Sequence, residues 1–212
     1  MPAPNLRRSH LSAAPAALPW RDSPLRFGRI SRLLHWAMAL LLAWQFVGMA
    51  LKLAFDLSPR DSWLVGTHNH VGVVLWLLAV LRALWALAQW PQRPAYGPGV
   101  IAQCARAGHG LLYLLMLLVP TLALLRLYAS GRAFALFGQW PIFSASAPNQ
   151  ALVQAINAPR DSLGASWHGL LGWLLLAVIA GHIAMVLVHH FIWRDDTARR
   201  MLGRRGPNTT AR

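Results

Sequence analysis

The stretch WHGLLGWLLLAVIAGHIAMVLVHHFIW, Trp167–Trp193, decides the fold. It is long enough to cross a bilayer as a helix, for which about 20 apolar residues suffice. Its interior carries no formal charge, yet it contains His168 and His182, with His189 and His190 at its far end. The first two are fourteen residues apart. At about 100° and 1.5 Å per residue, they leave the same helix face about 21 Å apart along the axis. One imidazole therefore falls near each membrane surface, and both look into a bundle. Imidazole inside lipid is costly, so a functional role is the first expectation.

The composition agrees. Hydrophobic residues make up 56% of the 212, charged residues only 12%, and there are eleven Trp, as expected of a membrane protein. Twenty basic residues face six acidic ones, all Asp, for a net charge of +14. The basic residues form no continuous patch: six precede the first apolar run and six follow the last, which argues against nucleic acid and for cytoplasmic flanks. The lone Cys104 rules out an internal disulfide, covalent c-type haem attachment and a cysteine-rich zinc or iron–sulfur site; it reads as a small residue near a helix start.

Taken in order, residues 1–30 read as a basic, poorly ordered tail in which His10 is a solvated side chain. A four-helix domain is expected over 31–194, with helices at about 33–55, 67–90, 108–128 and 167–193, and a basic tail over 195–212. Pro91 and Pro94 stop the second helix, Pro120 lies inside the third, and a short interfacial helix is expected around Asn149–Asn157. Arg82, Arg93 and Arg106 bring the side bearing the tails to fifteen basic residues. Lys52, Arg60, Arg126, Arg132 and Arg160 give the other side five. The expected fold is thus an all-α membrane protein, a four-transmembrane-helix bundle with both termini cytoplasmic.

Depth sorts the histidines. His35 and His182 belong to the cytoplasmic half, His68 and His168 to the outer ends of helices two and four. Two facing pairs at two depths suit two haems with bis-histidine ligation, rather than one tetrahedral zinc site. Gly72 and Gly172 each follow an outer histidine by four residues, where an absent side chain lets a porphyrin lie close, or simply lets helices pack tightly. Arg82 follows His68 by fourteen residues, which places it on the same face at the inner depth, as a partner for a haem propionate or as a snorkelling cation. His70 points away from His68 toward an interfacial, solvated position. His109 competes with His35 for the inner ligand role, and the roles of His189 and His190 stay open at the inner interface.

These residues resemble the bacterial cytochrome b561 family from about Phe27 to Leu202. The resemblance is carried by SRLLHW around His35, His68 with Gly72 and Arg82, HGLLYLLMLLVP, YASGRAFALFG, SLGASWH and HHFIWRDDTARRML. It implies a bacterial inner-membrane cytochrome with two haem b groups on His35, His68, His168 and His182, exchanging electrons with membrane quinone. Some members are similar to superoxide oxidases that pass the electron from superoxide to ubiquinone. The chain departs from the pattern in its long tail before Phe27 and in the neutral, glycine-containing segment before Trp167, where a basic residue is expected. Arg126, Arg132 and Arg160 lie in or beside the long outer loop against Asp161, a field that would steer a small anion such as superoxide, or anchor the loop at headgroups. Two rival functions are a cytochrome b subunit serving a separate periplasmic dehydrogenase or hydrogenase, and a non-haem membrane transporter. No protein nucleophile or acid–base pair is evident.

Overall fold

Four long helices carry the apolar runs: α1 (Arg29–Phe55), α3 (His68–Ala88), α4 (Val100–Ala129) and α7 (Trp167–Leu187), the last continued by a π-helical turn, Val188–Ile192. A computed structural model describes residues 19–203, and the four are the helices among them long and apolar enough to span a membrane. The expected tails at 1–18, with His10, and at 204–212 lie outside the described residues. Short helices α2 (Trp63–Gly66), α5 (Gln150–Asn157), α6 (Arg160–Leu163) and α8 (Thr197–Leu202) fill the connections. The helix expected around Asn149–Asn157 is α5, capped by the Asn149 side chain accepting from Leu152 N–H.

Packing runs in series, α1 against α3, α3 against α4 and α4 against α7. Met38, Val71, Leu75 and Ala79 are buried between α1 and α3, and Leu115, Val119 and Leu175 between α4 and α7. Large apolar side chains such as Leu40, Leu84, Leu114 and Ile183 stay exposed, as lipid-facing positions must. Pro120 costs α4 one backbone hydrogen bond. Beside it, the Thr121 hydroxyl donates to the Leu117 carbonyl and accepts from the Trp76 indole, which ties α3 to α4 there.

Two regions differ from the sequence expectation. The third span begins at Val100, eight residues before the expected start, because the helix runs past its apolar stretch into exposed Gln103 and Arg106. The loop after it holds a β-hairpin, β1 (Phe134–Leu136) paired antiparallel with β2 (Trp140–Phe143), whose turn places Phe137 and Gly138 at φ 49° and 74°.

Both described ends meet at one end of the bundle. Arg32 donates to the carbonyls of Met201 and Leu202. Residues 19–28, expected within the tail, form a hydrogen-bonded turn built on Asp22. Its carboxylate is fully buried and accepts from Gly28 N–H, the Ser31 hydroxyl and Arg93 at 2.8, 2.8 and 3.1 Å. The Asp22 N–H donates to Gln89, and the Trp85 indole donates to Ser31. This clasp joins the start of α1 to the end of α3 and the following linker. That end is called the termini end below, and the opposite one the loop end.

Candidate functional site

At the loop end, His68 is the first residue of α3 and His168 the second of α7. The Ser166 side chain caps α7 by accepting from Gly169 N–H, which fixes where the helix, and so His168, begins. The two rings face each other across 6.1 Å between centroids, at 90°. His168 Nδ1 lies 2.9 Å from the Val119 carbonyl. A carbonyl only accepts, so Nδ1 carries the proton and Nε2 is left with a free lone pair, the arrangement of a metal-ligating histidine. The start of α3 is held from α1, where the Trp44 indole donates to Thr67 Oγ1 and Gln45 Nε2 donates to the His68 carbonyl, at 3.0 and 2.9 Å.

At the termini end, His35 and His182 face each other at 6.5 Å and 70°. His109 is brought to the same place, 5.2 Å from His182, with Nδ1 donating to the Ala105 carbonyl at 2.7 Å. Arg82 lies over the Tyr113 ring at 5.6 Å, and Tyr96 packs on His109.

These distances test the fit of a haem. Two metal–imidazole bonds of about 2 Å plus two ring radii place ring centroids about 6 Å apart. The pairs His68–His168 and His35–His182 match that span, whereas His109–His182 is about 1 Å too short. His35 Nδ1 is buried without a hydrogen-bond partner among the described residues. An apolar cavity of ≈ 300 Å³ lies against His68, His168, Gly172 and Pro120, with no charged side chain in its lining. A Cβ at Gly172 would meet nothing within 4 Å, so this glycine opens on space. At Gly72 it would lie 3.3 Å from Gln45 Nε2, so that glycine makes room for the amide. Among the described residues no group of three or more His, Cys, Asp or Glu side chains is arranged for a metal ion. The donors come as facing pairs, which suit a macrocycle-held iron.

The remaining candidates separate. Arg126, Arg132 and Arg160 are exposed at the loop end; Arg126 donates to the neutral Asn157, and none of the three pairs with a carboxylate among the described residues. His70 is half-buried at the loop end, where its ring stacks on Phe134 and on Phe137 and its Nδ1 accepts from Phe137 N–H at 3.1 Å. His189 is bound to Asp195. Partial burial works against the Asp195 carboxylate, but bonds from His189 and Thr197 outweigh it and hold the carboxyl below its ordinary value of 3.8. Sequence reasoning missed Gln45 and Asp22. Gln45 was visible only as one polar residue within an apolar run, and Asp22 only as one acid in a basic segment.

Comparison with known proteins meets this geometry. A family model described as prokaryotic cytochrome b561 matches residues 26–204. Cytochrome b561 homolog 2 of Escherichia coli K12 is 33% identical over 86% of this chain and 94% of its own length. Cytochrome b561 homolog 1 of the same organism is 27% identical over 85% and 98%. The probable superoxide oxidase CybB of Yersinia pestis is 28% identical over 80% and 91%. Four spans, histidines facing in pairs inside them and a match over nearly the whole described chain lead to one conclusion: the chain belongs to the prokaryotic cytochrome b561 family, multi-pass membrane cytochromes that bind haem b.

Proposed function

We propose that the chain is a dihaem electron carrier of the bacterial inner membrane, with both termini cytoplasmic, that oxidises superoxide outside and reduces ubiquinone. The observation that carries it is the two histidine pairs, at 6.1 and 6.5 Å, on opposite ends of one bundle. His68 with His168 would hold one haem, and His35 with His182 the other. Bound haem supplies one-electron chemistry at each end. His168 presents Nε2 because its other nitrogen is committed to Val119, and the cavity beside the ligands is lined mainly by apolar side chains. The fifteen-to-five bias of basic residues supports the orientation. In the overall reaction two superoxide anions each give up one electron and leave as dioxygen. The two electrons with two protons convert ubiquinone to ubiquinol.

The choice of superoxide leans on two further observations. One relative is described as a probable superoxide oxidase, and three exposed arginines at the loop end lack carboxylate partners among the described residues. Rapid mixing of superoxide with purified protein holding two haems per chain and quinone tests the proposal. Haem reduction is expected to be fast, to slow with added salt, and to slow about tenfold when Arg126, Arg132 and Arg160 are all replaced by Gln. No haem reduction would discard superoxide and favour a carrier serving a separate dehydrogenase.

A further inference from the structure

Gln45 stands in the middle of the apolar run of α1, where a polar side chain needs partners. Its Nε2 takes one, the carbonyl of His68 at 2.9 Å. Only the nitrogen end of the amide can donate, so the orientation is fixed and Oε1 is the end left over. That oxygen is buried and has no partner among the described residues, and Gln45 lines the cavity that also touches His68, Gly72, His168 and Gly172. The neighbouring Trp44 bonds Thr67, whose hydroxyl donates in turn to the Trp63 carbonyl. Two consecutive residues of α1 thus clamp two consecutive residues where α3 begins. Gly72 completes the arrangement, because a side chain there would press on the Gln45 amide.

We propose that Gln45 is the positioning residue of the loop-end haem site, fixing His68 with its nitrogen and setting the redox potential with its amide carbonyl, buried beside the cavity. The negative end of an amide dipole next to a redox centre favours the more positive, oxidised state. In surroundings without charged side chains little dielectric screening weakens it. The inference rests on the proposed ligation by His68 and His168.

Spectroelectrochemical titration of the purified haem-loaded protein tests it, with electron paramagnetic resonance of each low-spin iron as a second readout. Gln45→Met, similar in volume but without the amide, is expected to raise the midpoint potential of the loop-end haem and to leave the termini-end haem where it was. Should that variant lose its loop-end haem, Gln45→Glu decides, since it keeps an oxygen of similar reach. A changed loop-end potential and resonance signal with the other haem unmoved supports the proposal. An unmoved loop-end potential in the variant that retains the haem, or an equal movement of both haems, overturns it. Retention of the loop-end haem in His68→Ala would instead overturn the ligand assignment underneath.

Discussion

The two ends of the bundle hold their histidines by different means. At the loop end the pair is supported by neutral groups: the Val119 carbonyl beneath His168, and the Trp44 and Gln45 clamp at the start of α3. No charged side chain lines its cavity. At the termini end His35 and His182 share their surroundings with His109, Tyr96, Tyr113 and the Arg82 cation. The Asp22–Arg93 pair and the His189–Asp195 pair stand at that same end of the chain's fold. One end is therefore insulated and fixed. The other is crowded with groups that carry or accept protons, which suits a place where electron arrival and proton uptake coincide.

The sharpest way to break this comparison is to remove ligands. His68→Ala or His168→Ala should cost one of two haems, that of the loop end, and His35→Ala or His182→Ala the other, read as haem per chain in pyridine haemochrome spectra. His109→Ala should keep both, because its ring stands too close to His182 to leave room for an iron. A loss of haem in His109→Ala with full retention in His35→Ala would exchange their roles. A smaller effect sharpens the electrostatic contrast. Arg82→Leu should lower the potential of the termini-end haem by some tens of millivolts, since Coulomb energy on the order of 1–2 kcal/mol is at stake at an effective dielectric of about 20. The loop-end haem should hardly respond in the same titration.

The smallest effect concerns Asp195. Its folded carboxyl lies below the ordinary 3.8, so the stabilisation it brings is present above that value and is lost as pH falls through the still lower folded one. Backbone protection factors from Val188 to Leu202, exchange measured against the intrinsic rate at each pH, should therefore fall below about pH 4 in the wild type. In Asp195→Asn the protection should be lower already at neutral pH, with little acid dependence left.

Much of this was legible in the sequence because lipid imposes strict rules. Four apolar runs had to be four spans, and the fourteen-residue interval from His168 to His182 had to place two rings on one face at two depths. What escaped was set by tertiary contact. The hairpin of Phe134–Phe143 has no alternating pattern and turns at Phe137, whose left-handed backbone is accompanied by a hydrogen bond to His70, distant in sequence. His189 meets Asp195 across a π-helical turn, which a 3.6-residue period does not anticipate. His109 could be named as a rival ligand, but only ring separations distinguish it from His35. Gln45 is one polar residue in a long apolar helix, and its partner lies 23 positions away.

The Asp22 clasp bears on how the chain threads its membrane. Asp22 leaves the ribosome well before Gln89 and Arg93, and can meet them only once the second span has turned back to the side where the first began. Until then a carboxylate destined for full burial waits in water. The bonds from Arg32 to Met201 and Leu202 close later still, after the fourth span. The two sets of bonds on the same side therefore require the second and the fourth spans to have returned there. A chain whose second segment failed to insert would leave the Asp22 carboxylate without Gln89 and Arg93, and one whose fourth failed would leave Arg32 without the Met201 and Leu202 carbonyls.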